Sequence, residues 1–261
     1  MANNVTVTRV SSAEEMAQTA ARRFALICET TIKTRGLFSV ALSGGNTPKR
    51  LYEILGQTPY VERIAWDKIT FLLGDERLVP IDDKESNYLM IKNTLLQHAP
   101  ISEQNFLRVY TDLSTPGACA ADYELSIRKS LKVKDGELPV IDFVLLGMGP
   151  DGHTASLFPG TDALTDTSHI ARANFVSKFN SWRITLTAPV LRNAKNVLFQ
   201  VSGQDKAEAL KEVLEGTLQE SLYPAQLLRG MKGKVEWLVD KEISSGLRQS
   251  ISNSSAGVKI Q

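Results

Sequence analysis

Apolar and polar positions follow two different periods along the chain. Short, nearly unbroken apolar runs occupy residues 39–42, 69–73, 141–146, 184–186, 197–201 and 235–239. Runs of this length, without regular alternation, predict strands covered on both faces. Between them the apolar positions recur at helical spacing. Met16, Ala20, Phe24 and Ile27 mark a helix over about residues 13–33, and similar patterns lie near 48–55, 87–97, 117–131 and 204–214. This strand-then-helix rhythm predicts an α/β fold, doubly wound and Rossmann-like, with a mostly parallel sheet and helices on both faces. No internal repeat or Pro/Gly-rich linker interrupts it, so residues 1–245 read as a single α/β domain. Residues 246–261 carry Ser, Asn and Gly and are expected to form a loose C-terminal tail.

Composition narrows the class. A chain of 261 residues with 43% hydrophobic and 23% charged residues has the make-up of a globular protein. Lys and Arg number 30 against 29 Asp and Glu, a net charge of +1, which counts against a general nucleic-acid binder. It leaves room for a local cationic pocket. No stretch approaches the ~18 consecutive apolar residues of a membrane span. Met1-Ala2-Asn3-Asn4 lacks the charged and apolar regions of a signal peptide. Cys28 and Cys119 are the only cysteines, both in helical patterns, so a buried free thiol is the simplest state for each. A cytoplasmic protein without membrane or nucleic-acid partners is expected. No HExxH, cysteine cluster or His-x-His occurs, which favours chemistry without a metal.

In an open α/β sheet, ligands bind beyond the carboxyl ends of the strands. The first informative strand end is Ser43-Gly44-Gly45-Asn46-Thr47-Pro48. Its glycines permit close backbone approach, Thr47 reads as a helix N-cap and Pro48 as the first helical residue. A helix N-terminus of this kind favours an anion, most simply a phosphate; the plain alternative is a tight turn with a capped helix. The loop matches neither a P-loop nor a nucleophile elbow, so Ser43 is read as a phosphate donor, not a nucleophile. The second strand end, Gly74-Asp75-Glu76-Arg77, offers acids to orient hydroxyls and an arginine to bind an anion, or else a solvated charged turn.

The most apolar strand leads into Gly147-Met148-Gly149-Pro150-Asp151-Gly152-His153. His153, one of 3 histidines, lies in a glycine-rich turn and is the natural general base at neutral pH. Asp151 is placed to orient its imidazole or to contact a substrate. His98, at a helix end, and His169, in a polar loop, read as structural or surface residues. Residues 147–152 also satisfy G-x-G-x-x-G, but Asp151 would set a negative charge beside a pyrophosphate and Pro150 removes an N–H, so no dinucleotide cofactor is expected. Arg183, read as beginning a strand, and Lys206, near a helix start, gain weight if their segments converge on one pocket. Alone, each is an ordinary surface cation, with Asp205 a local partner for Lys206.

The ordered set of Ser43-Gly44-Gly45-Asn46-Thr47-Pro48, Gly74-Asp75-Glu76-Arg77, Ser86-Asn87-Tyr88, the turn from Gly147 through His153 to Phe158-Pro159, Trp182-Arg183-Ile184-Thr185 and Gly203-Gln204-Asp205-Lys206-Ala207 resembles the 6-phosphogluconolactonase family, over about residues 10–245. The resemblance implies hydrolysis of 6-phospho-D-glucono-1,5-lactone in the oxidative pentose phosphate pathway, with a small sugar-phosphate substrate, no cofactor and no obligate protein partner. It implies catalysis by His153, and beside it Asp151 is expected to fix the imidazole tautomer and Asp75 to bind a sugar hydroxyl. It puts the phosphate loop on Ser43, Gly44, Gly45 and Thr47, with Arg77, Arg183 and Lys206 as ligands for the phosphate or sugar. Backbone N–H groups of the glycine-rich turn are expected to stabilise the oxyanion. A sister family, glucosamine-6-phosphate deaminase, shares several of these segments but usually shows Phe-Asn-Glu soon after the histidine; here Phe158 occupies the place of that glutamate. A non-catalytic sugar-phosphate sensor is a third reading, which would need the phosphate loop but not His153.

Overall fold

The computed structural model of the chain describes residues 4–247. In chain order its elements are β1 (Val5–Val10), α1 (Ala13–Arg35), β2 (Phe38–Leu42), α2 (Asn46–Leu55), α3 (Tyr60–Arg63), β3 (Ile69–Leu73), β4 (Asp75–Arg77), α4 (Asn87–Ile91), β5 (Phe106–Leu107), α5 (Pro116–Leu131), β6 (Phe143–Leu146), β7 (Ala171–Val176), β8 (Ser181–Leu186), α6 (Ala188–Arg192), β9 (Asn196–Val201), α7 (Ala207–Glu215) and β10 (Lys234–Asp240). Helix starts follow side-chain chemistry. The Ser12 hydroxyl accepts from Glu15 N–H at the start of α1, and Thr115 does the same for Ala118 N–H at α5, where Pro116 takes the first helical position.

Seven strands form one parallel sheet in the order β1-β10-β9-β6-β2-β3-β5. From β2 the chain moves outward to β3 and β5. It then returns to β6, on the other side of β2, and moves outward again through β9 and β10. Parallel neighbours need crossover connections, and the helices that supply them pack around the sheet, as the α/β Rossmann-like expectation requires. The direction reverses between β2 and β6. Their carboxyl ends lead into diverging connections and open a crevice. The core beneath is aromatic: Phe24 of α1 meets Phe38 and Phe143 edge-on, at centroid separations of 5.8 and 6.1 Å.

The apolar run at 184–186 departs from the expected single sheet. It belongs to β8, the middle strand of a separate antiparallel sheet ordered β4-β8-β7. Gly74 is the point of departure. Its N–H donates to the Leu42 carbonyl at 2.8 Å, and its carbonyl accepts from Leu186 N–H at 2.9 Å. The chain thus leaves the parallel layer as β3 gives way to β4. Helix α2 also begins differently from expectation. Gly45, with φ 93°, is the N-cap, so Asn46 is the first helical residue and Thr47 lies inside the helix. Arg183 is the third residue of β8 and does not begin it. Of the expected loose tail, residues 248–261 lie outside the described residues, while Leu247 packs against the core. Among the described residues no helix is long and apolar enough to cross a membrane.

Parallel strands that stop inside a protein leave backbone groups without ladder partners. Two buried phenols replace them here. Ser43 N–H donates to the Tyr52 hydroxyl at 3.1 Å, and that hydroxyl donates back to the Ser43 carbonyl at 2.7 Å. Tyr123 makes the same pair with Leu73 N–H and carbonyl, each at 2.7 Å. Burial pushes the pKa of both phenols up, so both keep the proton they donate. Tyr52→Phe removes both partners of Ser43 at once. It is expected to cost about 1–3 kcal/mol, read as a lower urea midpoint with the slope unchanged.

Candidate functional site

The crevice at the β2–β6 reversal is a cleft with two connected lobes. The first, about 320 Å³, is walled by the 43–48 loop, Gly147-Met148-Gly149, Gln200 and Lys206. The second, about 440 Å³, lies toward Lys84, Phe158, Phe179 and Arg183. Asp75, Arg77, Asn87 and His153 border both lobes. Gly44 and Gly45, between the end of β2 and the start of α2, have no hydrogen-bond acceptor for their N–H groups among the described residues. These donors and the α2 N-terminus therefore remain open to an anion. A Cβ on Gly44 would fall 1.8 Å from Asn87 Oδ1, so only glycine lets the loop run this close to α4.

His153 is held on three sides. Its Nδ1 lies 2.5 Å from Asp151 Oδ1. Phe158 stacks on the ring with centroids 3.9 Å apart and planes 25° apart. On a further side sits Gly149, where a Cβ would come within 2.0 Å of His153 Cε1. Burial alone would raise the Asp151 pKa, but hydrogen bonds from His153 and from Lys178 outweigh it and hold the carboxyl well below the usual range. An ionised Asp151 takes the Nδ1 proton as a hydrogen bond and leaves Nε2 as the basic nitrogen. The turn's own N–H groups are less free than expected. Gly149 N–H donates to the His153 carbonyl at 3.0 Å and Gly152 N–H to the Gly149 carbonyl at 3.0 Å, while His153 N–H points to Asp151 at 3.3 Å. These three are committed inside the turn, which removes them as oxyanion donors.

The β4–β8 pairing brings two arginines together. Arg77 and Arg183 are direct cross-strand partners. Arg183 is buried, and burial followed by repulsion from Arg77 lowers its pKa. Asp75 sits beside them and accepts from the Ser156 hydroxyl at 2.6 Å. Glu76 points away from the cleft. Buried, it accepts from the backbone N–H groups of Arg77, Asn87 and Tyr88 at 2.7–2.8 Å, so it is a structural clamp on α4, with its pKa raised by burial. Lys206 reaches the first lobe and donates to the Ser202 carbonyl at 2.9 Å; it makes no ion pair with Asp205 among the described residues.

Ser43, Gly44, Gly45, Thr47, Asp75, Arg77, His153 and Lys206 thus line the first lobe, Arg183 the second, and Asp151 stands behind His153. Sequence reading missed Asn87 and Gln200 as cleft residues. Gln200 had left a signal, as a polar residue inside the apolar run 197–201. Arg77 Nε, Arg183 Nε, Asn87 Oδ1 and Gln200 Nε2 are buried without a hydrogen-bond partner. Orphaned polar atoms gathered on one cleft call for a polar ligand. The other histidines lie elsewhere: His98 Nε2 is 3.1 Å from the Asn93 carbonyl, and His169 pairs with Asp166 at 2.9 Å.

A family profile described as glucosamine-6-phosphate isomerases/6-phosphogluconolactonase matches residues 11–237. A 6-phosphogluconolactonase of Synechocystis sp. is 38% identical over 229 residues, covering 86% of this chain and 92% of that protein. One from Nostoc sp. is 39% identical over 212 residues, covering 81% and 85%. The solved 6-phosphogluconolactonase from Trypanosoma cruzi superposes with a TM-score of 0.84 at 32% identity, over 95% of this chain and 98% of that one.

Asp166 resembles Asp151 in its electrostatics. Burial would raise its pKa, but Arg172, Ser168 and His169 outweigh burial and hold it well below the usual range. Both carboxyls titrate lower in the folded than in the unfolded chain. Their stabilisation is present above the unfolded value of about 3.9 and is lost as pH falls toward the folded values. The urea midpoint is therefore expected to drop between about pH 5 and pH 2, and Asp166→Asn to flatten that decline.

Proposed function

This chain belongs to the glucosamine-6-phosphate isomerase/6-phosphogluconolactonase family, and we propose that it hydrolyses 6-phospho-D-glucono-1,5-lactone to 6-phosphogluconate, the lactonase step of the oxidative pentose phosphate pathway. The observation that carries this reading is the Asp151–His153 pair, set where the two lobes of the cleft meet, with Phe158 against the imidazole in place of a glutamate. Deaminase chemistry needs an acid–base group for opening a sugar ring; an apolar ring on the base supports a reaction that needs only one activated water.

The phosphate docks on Gly44 and Gly45 N–H and the start of α2, with Ser43, Thr47 and Lys206 beside it. Asp75, oriented by Ser156, accepts a sugar hydroxyl. Neutral His153 takes a proton from water through Nε2, while Asp151 steadies the resulting imidazolium. The hydroxyl oxygen bonds to C1, and the carbonyl electrons move onto an oxyanion. Arg77 and Arg183 face that charge. The C1–O ring bond then breaks, and the departing oxygen takes the proton from His153. Free, buried thiols at Cys28 and Cys119 support a reducing compartment, the cytoplasm, as the place of work.

His153→Ala is expected to lower kcat by roughly 10²–10⁴ while 6-phosphogluconate still binds. Lys206→Ala is expected mainly to raise KM. Lactone decay measured beside ammonia release from glucosamine 6-phosphate checks the reading. Ammonia without lactone loss would assign the deaminase reaction, and binding of 6-phosphogluconate without any turnover would make the protein a sensor.

A further inference from the structure

The turn that joins β7 to β8 reaches the base from two directions. Residues 177–179 form a single helical turn, and Asn180, at φ 47°, reverses the chain into β8. From this tip Lys178 Nζ extends to Asp151 Oδ2 at 2.9 Å, while Asp151 Oδ1 holds His153 Nδ1. The next residue, Phe179, packs edge-on against Phe158 at 5.7 Å, and Phe158 is the ring stacked on His153. One oxygen of Asp151 is thus spent on the base and the other on Lys178. The side chain of Lys178 is 53% exposed, and the residue lines neither lobe of the cleft, whereas its neighbour Phe179 does.

We propose that Lys178 is a positioning residue for the hydrolytic reaction: it fixes the Asp151 carboxylate so that His153 is held with its proton on Nδ1 and its lone pair on Nε2 toward the cleft. The proposal rests on the hydrolase reading above. Its physical basis is that a carboxylate bonded through one oxygen only can rotate about its last side-chain bond. Rotation lengthens the Asp151–His153 hydrogen bond and releases the imidazole to turn or change tautomer. A second bond on the other oxygen removes that freedom. An exposed Lys–Asp pair adds little to global stability, so the effect belongs to the orientation of the base and not to the fold. The cations that face the cleft, Arg77, Arg183 and Lys206, are placed to contact substrate. Lys178 contacts the group that orients the base.

The test compares Lys178→Ala and Lys178→Arg with the unmutated protein. Lys178→Ala is expected to lower kcat roughly threefold to tenfold with KM and thermal midpoint unchanged, and Lys178→Arg to recover most of the loss. The second readout is the low-field proton resonance of His153 Nδ1–H, assigned by its disappearance in His153→Asn. It is expected to broaden or vanish in Lys178→Ala through faster exchange and to return in Lys178→Arg. A raised KM with unchanged kcat would overturn the proposal by making Lys178 a substrate contact. An unchanged kcat, or a resonance that survives in Lys178→Ala, would overturn it by making the pair a bystander. If the unmutated protein hydrolyses no lactone, the functional reading fails, while the resonance still decides whether Lys178 holds the Asp151–His153 pair.

Discussion

Everything at this site depends on how strand β2 ends. A peptide unit that leaves a ladder inside the protein must find a donor and an acceptor at once, or lose about 1–3 kcal/mol for each unmet group. The Tyr52 hydroxyl supplies both to Ser43. With Ser43 satisfied from behind, the following glycines need not fold inward, and they line the cleft with their N–H groups free of acceptors among the described residues. Asn87 then presses against Gly44 and binds the Asp75 carbonyl through Nδ2 at 2.8 Å. Glu76 in turn holds Asn87 N–H. The 43–48 loop, the acidic turn and the start of α4 are therefore a single bonded unit whose anchor is one phenol.

The same region carries four buried polar atoms without a hydrogen-bond partner. Orphaned donors on Arg77, Arg183 and Gln200, and an orphaned acceptor on Asn87, are paid for by the core packed beneath the sheet. This division of labour is visible in Glu76 and Asp75, adjacent in sequence and opposite in use. Glu76 turns inward, satisfied by three backbone N–H groups, and secures structure. Asp75 keeps one bond to Ser156 and faces the cleft.

The strands of the main sheet were legible because burial on both faces leaves near-continuous apolar runs, as at 69–73 and 197–201. The strand-end rule then brought reading to Ser43, Asp75 and His153, since parallel strands must point their carboxyl ends the same way. The small antiparallel sheet was hidden because Gly74, not hydrophobic pattern, takes the chain out of the parallel layer, and because Asp75-Glu76-Arg77 has no apolar signature. The N-cap was misplaced by two residues because Gly45 caps through backbone conformation, which leaves no side-chain mark. Three N–H groups of the glycine-rich turn, those of Gly149, Gly152 and His153, are taken up by the turn's own closure, a fact of geometry that composition cannot carry. Lys178 is 27 residues from Asp151, so their pairing depends on the β7–β8 turn folding back over the histidine.

The facing arginines of β4 and β8 put two like charges side by side at the border of the cleft. Without a ligand, two like charges stand opposite each other on neighbouring strands, a placement that is unfavourable by itself. A neutral compound of the same outline leaves this repulsion as it was, and gains only its own contacts. A molecule that brings or develops negative charge between the guanidinium groups also relieves the strain already present. The unliganded pair therefore carries a repulsion that an anion placed between the two groups lessens, and that the neighbouring acids Asp75, Glu85 and Glu76 offset in part.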